Sequence, residues 1–307
     1  MNTTTTRIIQ NDGYVTNLFC YQTSSDTVLG NVVIFHGMAE HHERYLDFIQ
    51  TLTKEGFDVY IYSHRGHGTD KKLSELGFIA EKNGATILVN DALSVCTYVK
   101  GNGRSQKLAV FGHSMGSMVL RCLMQIYDAM DCSIVCSSTM PPVLFSKFGT
   151  LLGNIICAFR GAKSRSTFMQ NAMFGGKAYT SLCTRTSNDW LTRNNTLVGK
   201  YIDDPYCGFL CTTAFYRDLT VLAARSATKR NIDKTRKNLP ILFLAGTKDP
   251  VGGYATQIVQ LHNTYTSLGF EHTELKLYPE ARHELLNELN YEEVYEDIIT
   301  YLHKNLS

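Results

Sequence analysis

Several features that would assign a function at once are scarce in this sequence. Its 307 residues include one tryptophan and six prolines, and the 30 basic residues nearly balance the 28 acidic ones. A net charge of +2 gives no electrostatic reason to expect nucleic acid or an anionic membrane as a partner. No run approaches the roughly 18 apolar residues of a membrane-spanning helix, so we expect no transmembrane segment.

Sequence signals for export and for metal or disulfide chemistry are also missing. The opening stretch MNTTTTRIIQNDG has no apolar core of the kind that secretory signal peptides contain. The nine cysteines are scattered, with no C-x-x-C pair and no zinc-ligand spacing. Three of them, Cys96, Cys122 and Cys157, lie in apolar helical surroundings. We therefore expect reduced, mostly buried thiols in a cytoplasmic protein.

The most informative stretch is VFGHSMGS at residues 110–117. An apolar run predicts a strand at 107–111, and the positions after the serine predict a helix with one apolar face: Met118, Val119, Cys122, Leu123 and Ile126. A serine with a glycine two residues away on each side, at a strand-to-helix junction, is the G-x-S-x-G pattern of a nucleophile elbow. Side chains would collide in so sharp a turn, which is why glycines are needed there. Ser114 is thus the predicted nucleophile, raised above the sheet by a strained backbone.

The rest of the chain mostly alternates between strand and helix patterns. Residues 1–12 are polar and are expected to be loosely held. Strands are predicted at 14–21, 32–35, 59–62, 107–111, 133–136, 241–246 and 274–278, and helices lie between most of them. This alternation predicts an α/β fold with a mostly parallel central sheet and helices on both faces.

One segment breaks the alternation. Residues 139–228 have no strand pattern, and helical, glycine-interrupted stretches follow Pro141 and Pro142. We therefore expect an inserted, largely helical cap at 139–228. It would separate two sections of the core, residues 1–138 and 229–307.

A serine hydroxyl is a poor nucleophile at neutral pH, so it needs a base, and the base needs a group that orients it. In enzymes in which the nucleophilic serine, the acid and the histidine follow in this order along the chain, the acid and the histidine lie on loops after later strands. Asp249 follows the predicted strand ILFLAG and His283 follows LKLY, at strand ends where an open α/β sheet gathers its ligands. Asp249 could instead be a turn-former before Pro250, and His283 could begin a helix. Among ten histidines, His283 is the one whose position fits the base.

The intermediate of acyl transfer carries an oxyanion that needs preorganised hydrogen-bond donors. The backbone N–H of Met115, directly after the nucleophile, is one predicted donor. The second is expected in the loop after the first parallel strand, where Gly37 allows a sharp turn and the N–H of Met38 follows. The side chains of both methionines are expected to line the acyl pocket.

Histidines early in the chain raise a competing possibility, a metal site. Its ligands would come from six residues: His36, His41, His42, His64, His67 and Asp70. However, His64 and His67 straddle Gly66 in a loop and lack the helical i, i+4 spacing of a zinc protease. We interpret these side chains as loop histidines that pack around the site, and we expect neither a metal nor a cofactor.

Taken together, the motifs resemble the serine-hydrolase branch of the α/β-hydrolase superfamily that includes monoacylglycerol lipases, lysophospholipases and serine aminopeptidase-like proteins. The matching pieces are FHGMAEHHERY, SHRGHG, FGHSMGS, YIDDP, LAGTKDPV and YPEARHE, which follow the family order across residues 32–287. The resemblance implies the α/β-hydrolase fold with its helical cap. It also implies the same triad and oxyanion donors: Ser114, Asp249, His283, Met38 and Met115.

The resemblance further implies that Tyr201, in the YIDDP motif, approaches the polar end of the substrate. Two positions depart from the family pattern. Ser63 stands where the family usually has an aspartate, and Ser117 stands where a second glycine often follows the elbow. Neither position belongs to the triad.

These features predict a serine hydrolase that cleaves carboxylic esters with an apolar acyl chain. The cap is rich in Leu, Ile, Phe and Met, which favours a monoacylglycerol or lysophospholipid type of substrate and transient contact of the cap with a membrane. An aminopeptidase would need an acidic group to hold the substrate amine, for which Glu40 and Asp203 are available, and a thioesterase-like activity is a further alternative. A non-catalytic, ligand-binding relative would usually lack a triad member, and here all three are present.

Overall fold

The structure of the chain is a computed structural model that describes residues 2–306. Its strands are β1 (Asn2–Ile9), β2 (Val15–Gln22), β3 (Gly30–Phe35), β4 (Phe57–Tyr62), β5 (Leu108–His113), β6 (Cys132–Cys136), β7 (Ile241–Gly246) and β8 (Thr273–Tyr278). They form one sheet in the order β1-β2-β4-β3-β5-β6-β7-β8. The β1–β2 and β2–β4 pairs are antiparallel, and the other pairs are parallel. The predicted α/β class with a mostly parallel sheet is confirmed.

Helices cover both faces of the sheet. They are α1 (Leu46–Lys54), α2 (Gly84–Asn102), α3 (Met115–Leu123), α4 (Val143–Arg160), α5 (Thr167–Phe174), α6 (Lys177–Thr180), α7 (Asn195–Asp203), α8 (Thr213–Ala227), α9 (Lys229–Ile232), α10 (Thr256–Ser267) and α11 (Tyr291–Leu306). Successive strand residues point to opposite faces. Val33 and Phe35 of β3 therefore join the core under α2, α3, α8 and α10, whereas Val32 and Ile34 join the core under α1 and α11.

The five inner parallel strands carry the site. Every residue of β3, β4, β5, β6 and β7 is buried, as expected for parallel strands that are covered on both faces. Their carboxyl ends lie along one edge of the sheet. This is the edge at which an open α/β sheet places its ligand-binding loops.

Two local expectations are wrong. Residues 2–9 are not loosely held but form β1, which pairs along its length with β2 from Asn2↔Gln22 to Ile9↔Val15. The threonines favour a strand because they are β-branched, but this strand is largely exposed and so has no apolar pattern to reveal it. Ile126 does not continue the apolar face of α3, because a tighter hydrogen bond from its N–H to the carbonyl of Leu123 ends the helix and leaves the side chain exposed.

The elements between β6 and β7 are helical, as the cap prediction requires. Helix α4 packs along α8, and α8 packs on α3 and α2. The approach of α4 to α8 is close at Gly153, where an added Cβ would lie 2.7 Å from the Cβ of Arg217. We propose that residues 139–228 form the cap between core sections 1–138 and 229–307, with α8 as the part that anchors it.

Helix α4 is the most exposed apolar element of the cap. Within the described part of the chain, it is the one helix that is long and apolar enough to cross a membrane by length and composition, and only 11% of it is buried. The expectation of no transmembrane segment stays a prediction, because α4 meets only the length and composition of such a span. Its exposed large apolar side chains are Leu144, Phe145, Phe148, Leu151, Ile155 and Phe159.

All nine cysteines are free, and seven of them are buried. Cys96 and Cys122 lie in the core as expected, whereas Cys157 on α4 is only partly buried. Burial raises the pKa of the Cys122 thiol to about 12, which keeps it in the unreactive thiol form.

Candidate active site

Ser114 lies at the turn between β5 and α3. Its backbone has φ 53° and ψ −118°, a conformation that residues with a side chain rarely adopt. The flanking glycines make this turn possible. A Cβ added to Gly112 would lie 2.6 Å from the carbonyl oxygen of Gly116, and one added to Gly116 would collide with the carbonyl oxygen of Phe35. The strained, glycine-flanked turn expected for a nucleophile elbow is therefore present.

The structure brings the three residues of the predicted triad together. Asp249 follows β7 and His283 follows β8, both at the edge where β5 ends. The Nε2 atom of His283 lies 2.9 Å from the Ser114 Oγ, and its Nδ1 atom lies 3.0 Å from the Asp249 Oδ2. Asp249 is fully buried, and its Oδ1 accepts the N–H of Val251 at 2.9 Å. This arrangement suits an Nδ1–H donated to the carboxylate and a free Nε2 lone pair aimed at the hydroxyl.

Gly37 and Met38 lie in the loop after β3, which reaches over the nucleophile. A Cβ added to Gly37 would lie 3.3 Å from the Cβ of Ser114, so this turn touches the elbow directly. The next residue but one, Ala39, has a positive φ of 53°. Its N–H donates to the Nε2 of His67 at 3.0 Å, and its carbonyl accepts the N–H of Gly208 at 2.9 Å. The loop is thus fixed from two sides before any substrate arrives.

The two predicted oxyanion donors differ in where their side chains lie. Met38 lines the cavity above Ser114, as expected. Met115 is 1% exposed and belongs to the hydrophobic core under α3. The expectation that its side chain lines the acyl pocket is therefore wrong. As the first residue of α3, Met115 instead packs its side chain into the core between α3 and the sheet.

Tyr201 on α7 also lines the cavity. Its hydroxyl donates to the carbonyl of Ala39 at 3.2 Å, and the guanidinium of Arg44 lies 4.8 Å from its ring centre. The side chain therefore supports the loop that carries Met38. Its part in binding the polar end of a substrate stays a proposal.

Ser114 and His283 line a cavity of about 570 Å³, a size typical of small-molecule sites. Its apolar wall includes Met38, Phe174, Tyr179, Trp190, Leu191, Phe209 and Val251. Polar side chains also line the cavity: Gln170, Asn171, Thr180, Arg185 and Asn188. Nearly all of these residues come from the segment between β6 and β7, so the cap builds most of the cavity.

Trp190 is a cavity residue that sequence reasoning missed. Its ring centre lies 5.3 Å from that of His283, and Phe174 stacks nearly parallel to it at 6.3 Å. It is the single tryptophan of the chain. Its residue type was a usable signal, because tryptophan is enriched at interfaces.

Comparisons with known proteins agree with this geometry. Over residues 26–290 the chain matches the family described as serine aminopeptidase, S33. The chain belongs to this family. A curated relative, the monoacylglycerol lipase of Mycolicibacterium smegmatis, is 24% identical over 282 residues, which cover 90% of this chain and 89% of the relative.

Solved structures share the fold along the whole chain. A thermostable carboxyl esterase from Bacillus coagulans, crystallised with glycerol, has a TM-score of 0.90 at 24% identity, with 100% of both chains covered. The monoglyceride lipase of Saccharomyces cerevisiae, in complex with a substrate analogue, has a TM-score of 0.74 at 18% identity and covers 99% of this chain and 97% of its own. This chain is therefore an α/β-hydrolase that resembles monoacylglycerol lipases and esterases.

The two departures from the family pattern have defined places in this α/β-hydrolase. The hydroxyl of Ser63 lies 3.2 Å from the Nδ1 of His42, in a loop outside the cavity wall. Ser117 is fully buried, and its hydroxyl donates to the carbonyl of Ser114 and lies 2.7 Å from the Oγ of Ser138. A serine at 117 therefore adds a hydrogen bond under the elbow.

The loop histidines form a packed cluster beside the site. The ring of His36 lies 4.6 Å from that of His64 and 5.2 Å from that of His67. His36 donates from Nδ1 to the carbonyl of Gly37 at 2.7 Å, and His67 accepts the Ala39 N–H. Burial lowers the pKa of His67 to about 4 and that of His64 to about 3, so both are neutral at pH 7. These roles agree with histidines that pack around the site.

Two groups of side chains in residues 2–306 come close enough to share a metal ion: His41 with Asp204 and Cys207, and His41 with His42 and Glu43. The His41 Nε2 already forms a 2.7 Å hydrogen bond with the Asp204 Oδ2. A metal bound through this Nε2 atom would have to displace that hydrogen bond. The interpretation of these residues as packing groups stays a prediction.

Replacing His64 with phenylalanine is expected to reduce the acid sensitivity of the fold. The folded-state pKa of His64 is about 3, below the roughly 6.5 of an unfolded chain, so the unfolded state binds more protons as the pH falls. The stability linked to its neutral form is present above about pH 6.5 and declines toward pH 3. At pH 4.5 the resulting loss in the free energy of unfolding is about 2 to 3 kcal/mol.

The measurement is the free energy of unfolding in urea at pH 7.5 and 4.5 for wild type and His64→Phe. The loss between the two pH values should be smaller in the variant. His272→Phe, at an exposed position before β8, is the matched control and should follow wild type. Parallel pH dependences for wild type and His64→Phe would show that His64 is not the group responsible.

Proposed function

We propose that this chain is a serine hydrolase that cleaves carboxylic esters with an apolar acyl chain, using Ser114, His283 and Asp249 as its triad. One observation carries the proposal. The Ser114 hydroxyl, the His283 imidazole and the Asp249 carboxylate are joined by hydrogen bonds of 2.9 Å and 3.0 Å, and Ser114 and His283 line the cavity. The relatives named above are monoacylglycerol lipases and esterases, which supports an ester as the substrate.

The proposed reaction has two halves. His283 Nε2 takes the hydroxyl proton as Ser114 Oγ attacks the ester carbonyl, and the negative oxygen is stabilised by the N–H groups of Met38 and Met115. The alcohol oxygen leaves with the proton from His283, which gives an acyl-enzyme. Water then donates a proton to His283 as it attacks the acyl carbon, and Ser114 regains that proton when the acid leaves. Asp249 holds the imidazole with Nδ1–H toward the carboxylate throughout.

The mixed lining of the cavity suits a substrate that has both an apolar acyl chain and a polar group. Phe174, Trp190 and Phe209 offer apolar and aromatic surface next to Met38. An acyl chain would gain free energy by leaving water for this surface. We infer a monoacylglycerol or lysophospholipid type of substrate, with Tyr201 near its polar end.

An aminopeptidase-like activity, the alternative, needs a free negative charge for the substrate amine. Glu40 lines the cavity, but its carboxylate accepts the N–H of Gly37 at 2.5 Å and pairs with Arg44 at 2.6 Å. The other possibility, Asp203, is exposed at the end of α7. Because the charge of Glu40 is already balanced, we favour esters over aminoacyl substrates. We favour esters over thioesters because the relatives named above are lipases and an esterase.

The experiment is a panel of substrates given to the purified chain. Monoacylglycerols, lysophospholipids, short and long p-nitrophenyl esters, acyl thioesters and aminoacyl arylamides are compared by kcat/KM. The proposal requires the highest values for acyl esters. Aminoacyl arylamides hydrolysed as fast as esters would favour the aminopeptidase alternative, and no turnover of any member would favour a non-catalytic relative.

We also propose that the cap touches membranes transiently and that the protein is cytoplasmic. The apolar stripe of α4 faces outward, and the segment between Asp131 and Asp189 contains no acidic residue. Its basic residues are Lys147, Arg160, Lys163, Arg165, Lys177 and Arg185. The chain as a whole is nearly neutral, so its net charge does not reveal this local excess of positive charge. The excess would attract an anionic lipid surface. The nine free cysteines suit a reducing compartment.

Flotation with vesicles tests the membrane contact. Wild type should float with phosphatidylglycerol vesicles and less with phosphatidylcholine vesicles. Phe145→Ser combined with Phe148→Ser should remove flotation, because both side chains are exposed on α4. Leu289→Ser, at an exposed apolar position outside the cap, is the control. Equal flotation of all three proteins would contradict the contact.

Met38 provides a test that separates its backbone from its side chain. Met38→Pro deletes the proposed donor because proline has no N–H, and the expected loss in kcat is about 10² to 10³. Met38→Ala keeps the donor and should alter the preferred acyl length more than kcat, since the side chain lines the cavity. Kinetics with esters of graded chain length measure both effects.

The melting temperature of Met38→Pro must be compared with that of Met38→Ala, because proline also constrains the loop. A Met38→Pro protein of normal stability and full activity would assign the donor to another amide of residues 36–41.

A further inference from the structure

Buried charged side chains link the two loops that meet at the active site. Arg44 donates from Nη1 and Nη2 to both carboxylate oxygens of Glu284 at 2.7 Å, and from Nη1 to Glu40 at 2.6 Å. Glu40, Glu284 and His113 are each 5% exposed or less. Burying charges is costly unless each has well-placed partners. The mechanism proposed above uses none of these groups directly, so their retention at this place needs a reason.

The Glu40 end of the cluster holds the loop that carries Met38. The Oε1 of Glu40 accepts the N–H of Gly37 at 2.5 Å and the hydroxyl of Tyr45 at 2.8 Å. Gly37 precedes Met38 directly and touches the elbow of Ser114. The direction of the Met38 N–H therefore depends on where the Glu40 carboxylate is fixed.

The Glu284 end holds the loop that carries the proposed base. Glu284 directly follows His283, and its own N–H donates to the carbonyl of Leu191 at 2.7 Å. The two-pronged contact with Arg44 fixes the plane of the carboxylate as well as its distance, which a single hydrogen bond would not do. Arg44 thereby ties the His283 loop to Glu40 and the oxyanion loop.

His113 completes the cluster. Its Nδ1 lies 3.3 Å from the Glu40 Oε1, and its Nε2 lies 3.3 Å from the carbonyl oxygen of His283. An imidazole can donate to oxygen acceptors at both nitrogens only when it is protonated. A protonated His113 together with Arg44 also balances the two carboxylates, which leaves the buried cluster neutral.

The pKa directions agree with this assignment. Burial alone would lower the pKa of His113, but the hydrogen bond and negative charge of Glu40 outweigh it and raise the pKa. Burial alone would raise the pKa of Glu40, but His113 and Arg44 hold it well below its usual value. The other groups that face His113 are Tyr45, Glu284 and the ring of His283, whose centre lies 4.9 Å away.

We propose that Glu40, Arg44, Glu284 and a protonated His113, together the Arg44 brace, position the oxyanion loop and the His283 loop relative to each other for catalysis. These are positioning residues, since they act through Gly37 and His283 and not on the substrate. The proposal rests on the proposed function. A displacement of about 1 Å between reacting groups costs around 10² in rate, which sets the scale of the effect.

The first test is Arg44→Lys. Lysine keeps the positive charge but lacks the planar guanidinium that hydrogen-bonds to two carboxylates at once. We expect kcat for the best ester to fall by about 10², with KM changing by less than about threefold. The rate at which a fluorophosphonate labels Ser114 should fall in the same proportion.

The matched control is Arg104→Lys. Arg104 makes the same kind of forked contact with a fully buried carboxylate, Asp58, at 2.7 and 2.5 Å. Asp58 lies near the start of β4, at the opposite edge of the sheet. This variant should lower the melting temperature but leave kcat unchanged. Equal kcat for Arg44→Lys and Arg104→Lys would contradict the proposal that the Arg44 brace positions the two loops for catalysis.

The second test uses pH and Glu40→Gln. Because the folded-state pKa of His113 is raised, its proton and the hydrogen bonds that need it are present below that pKa and are lost as the pH rises through it. In wild type, kcat should therefore decline on the alkaline side. In Glu40→Gln the cation loses its main partner, so this decline should move to lower pH. A purely structural role would lower activity equally at every pH and leave the decline in place.

Glu284→Gln serves if Arg44→Lys does not fold, because it keeps the shape of the side chain and removes one charge. It should also reduce kcat more than it changes KM.

Labelling of wild type separates this proposal from the proposed function. If wild type is not labelled at Ser114, the proposed function fails. If wild type is labelled and Arg44→Lys and Glu284→Gln are labelled equally fast, only the brace fails.

Discussion

Replacing Ser114 with alanine is expected to lower kcat for acyl esters by ~10⁴ to 10⁶, because removing the nucleophile leaves only binding and the oxyanion donors to act on the substrate. KM should change little, since the lost hydroxyl is a small part of the cavity wall. The measurement is steady-state hydrolysis of the best ester, with the protein concentration raised until residual turnover is measurable.

The matched control is Ser94→Ala on α2, where the hydroxyl donates to the carbonyl of Asn90 in the exposed part of the helix. It should retain full activity. Both variants should melt near the wild-type temperature. Substantial ester hydrolysis by Ser114→Ala would show that the nucleophile is another residue.

Asp249→Asn is expected to lower kcat by up to about 10⁴ while the fold is kept. The carboxylate accepts the Nδ1–H of His283 at 3.0 Å. An amide can donate to Nδ1 instead, which favours the tautomer with the proton on Nε2. That nitrogen could then no longer take the proton of Ser114, and the imidazolium of the transition state would lose its negative partner.

The pH dependence of kcat and the melting temperature should be recorded together for Asp249→Asn, because this side chain also accepts the N–H of Val251. Asp189→Asn is a suitable control. It alters another buried carboxylate that accepts backbone N–H groups, at 2.7 and 3.0 Å. Near-normal kcat in Asp249→Asn would place the acid elsewhere.

The sequence was most informative where physical constraints are local. The elbow around Ser114 needs two glycines within five residues, and each inner strand is a short apolar run next to a loop motif. Asp249 and His283 could be placed because parallel strands deliver their following loops to one edge. The fold class and the meeting of these three side chains therefore followed from spacing.

The features that the sequence did not predict depend on contacts between distant residues, or lie in exposed segments that have no apolar pattern. Arg44 and Glu284 are 240 positions apart, and no local pattern pairs them. The exposed threonines of β1 form a strand only because β2 offers an edge with which to pair. The burial of Met115 depends on the direction in which α3 leaves the elbow, which its residue type does not reveal.

The electrostatic character of the site was also hidden from the sequence. Composition shows ten histidines but not that burial lowers the pKa of His64 and His67, whereas Glu40 raises the pKa of His113. Side chains of one type thus acquire different pKa values from their surroundings. Only the packed structure assigns them.

The most direct test of the central claim is covalent labelling with a fluorophosphonate, followed by peptide mapping by mass spectrometry. The proposed function predicts one adduct per chain, on the peptide that contains Ser114, formed at a rate that falls sharply in Asp249→Asn and absent in Ser114→Ala. An adduct on a different residue, or no adduct on the folded wild-type protein, would contradict it.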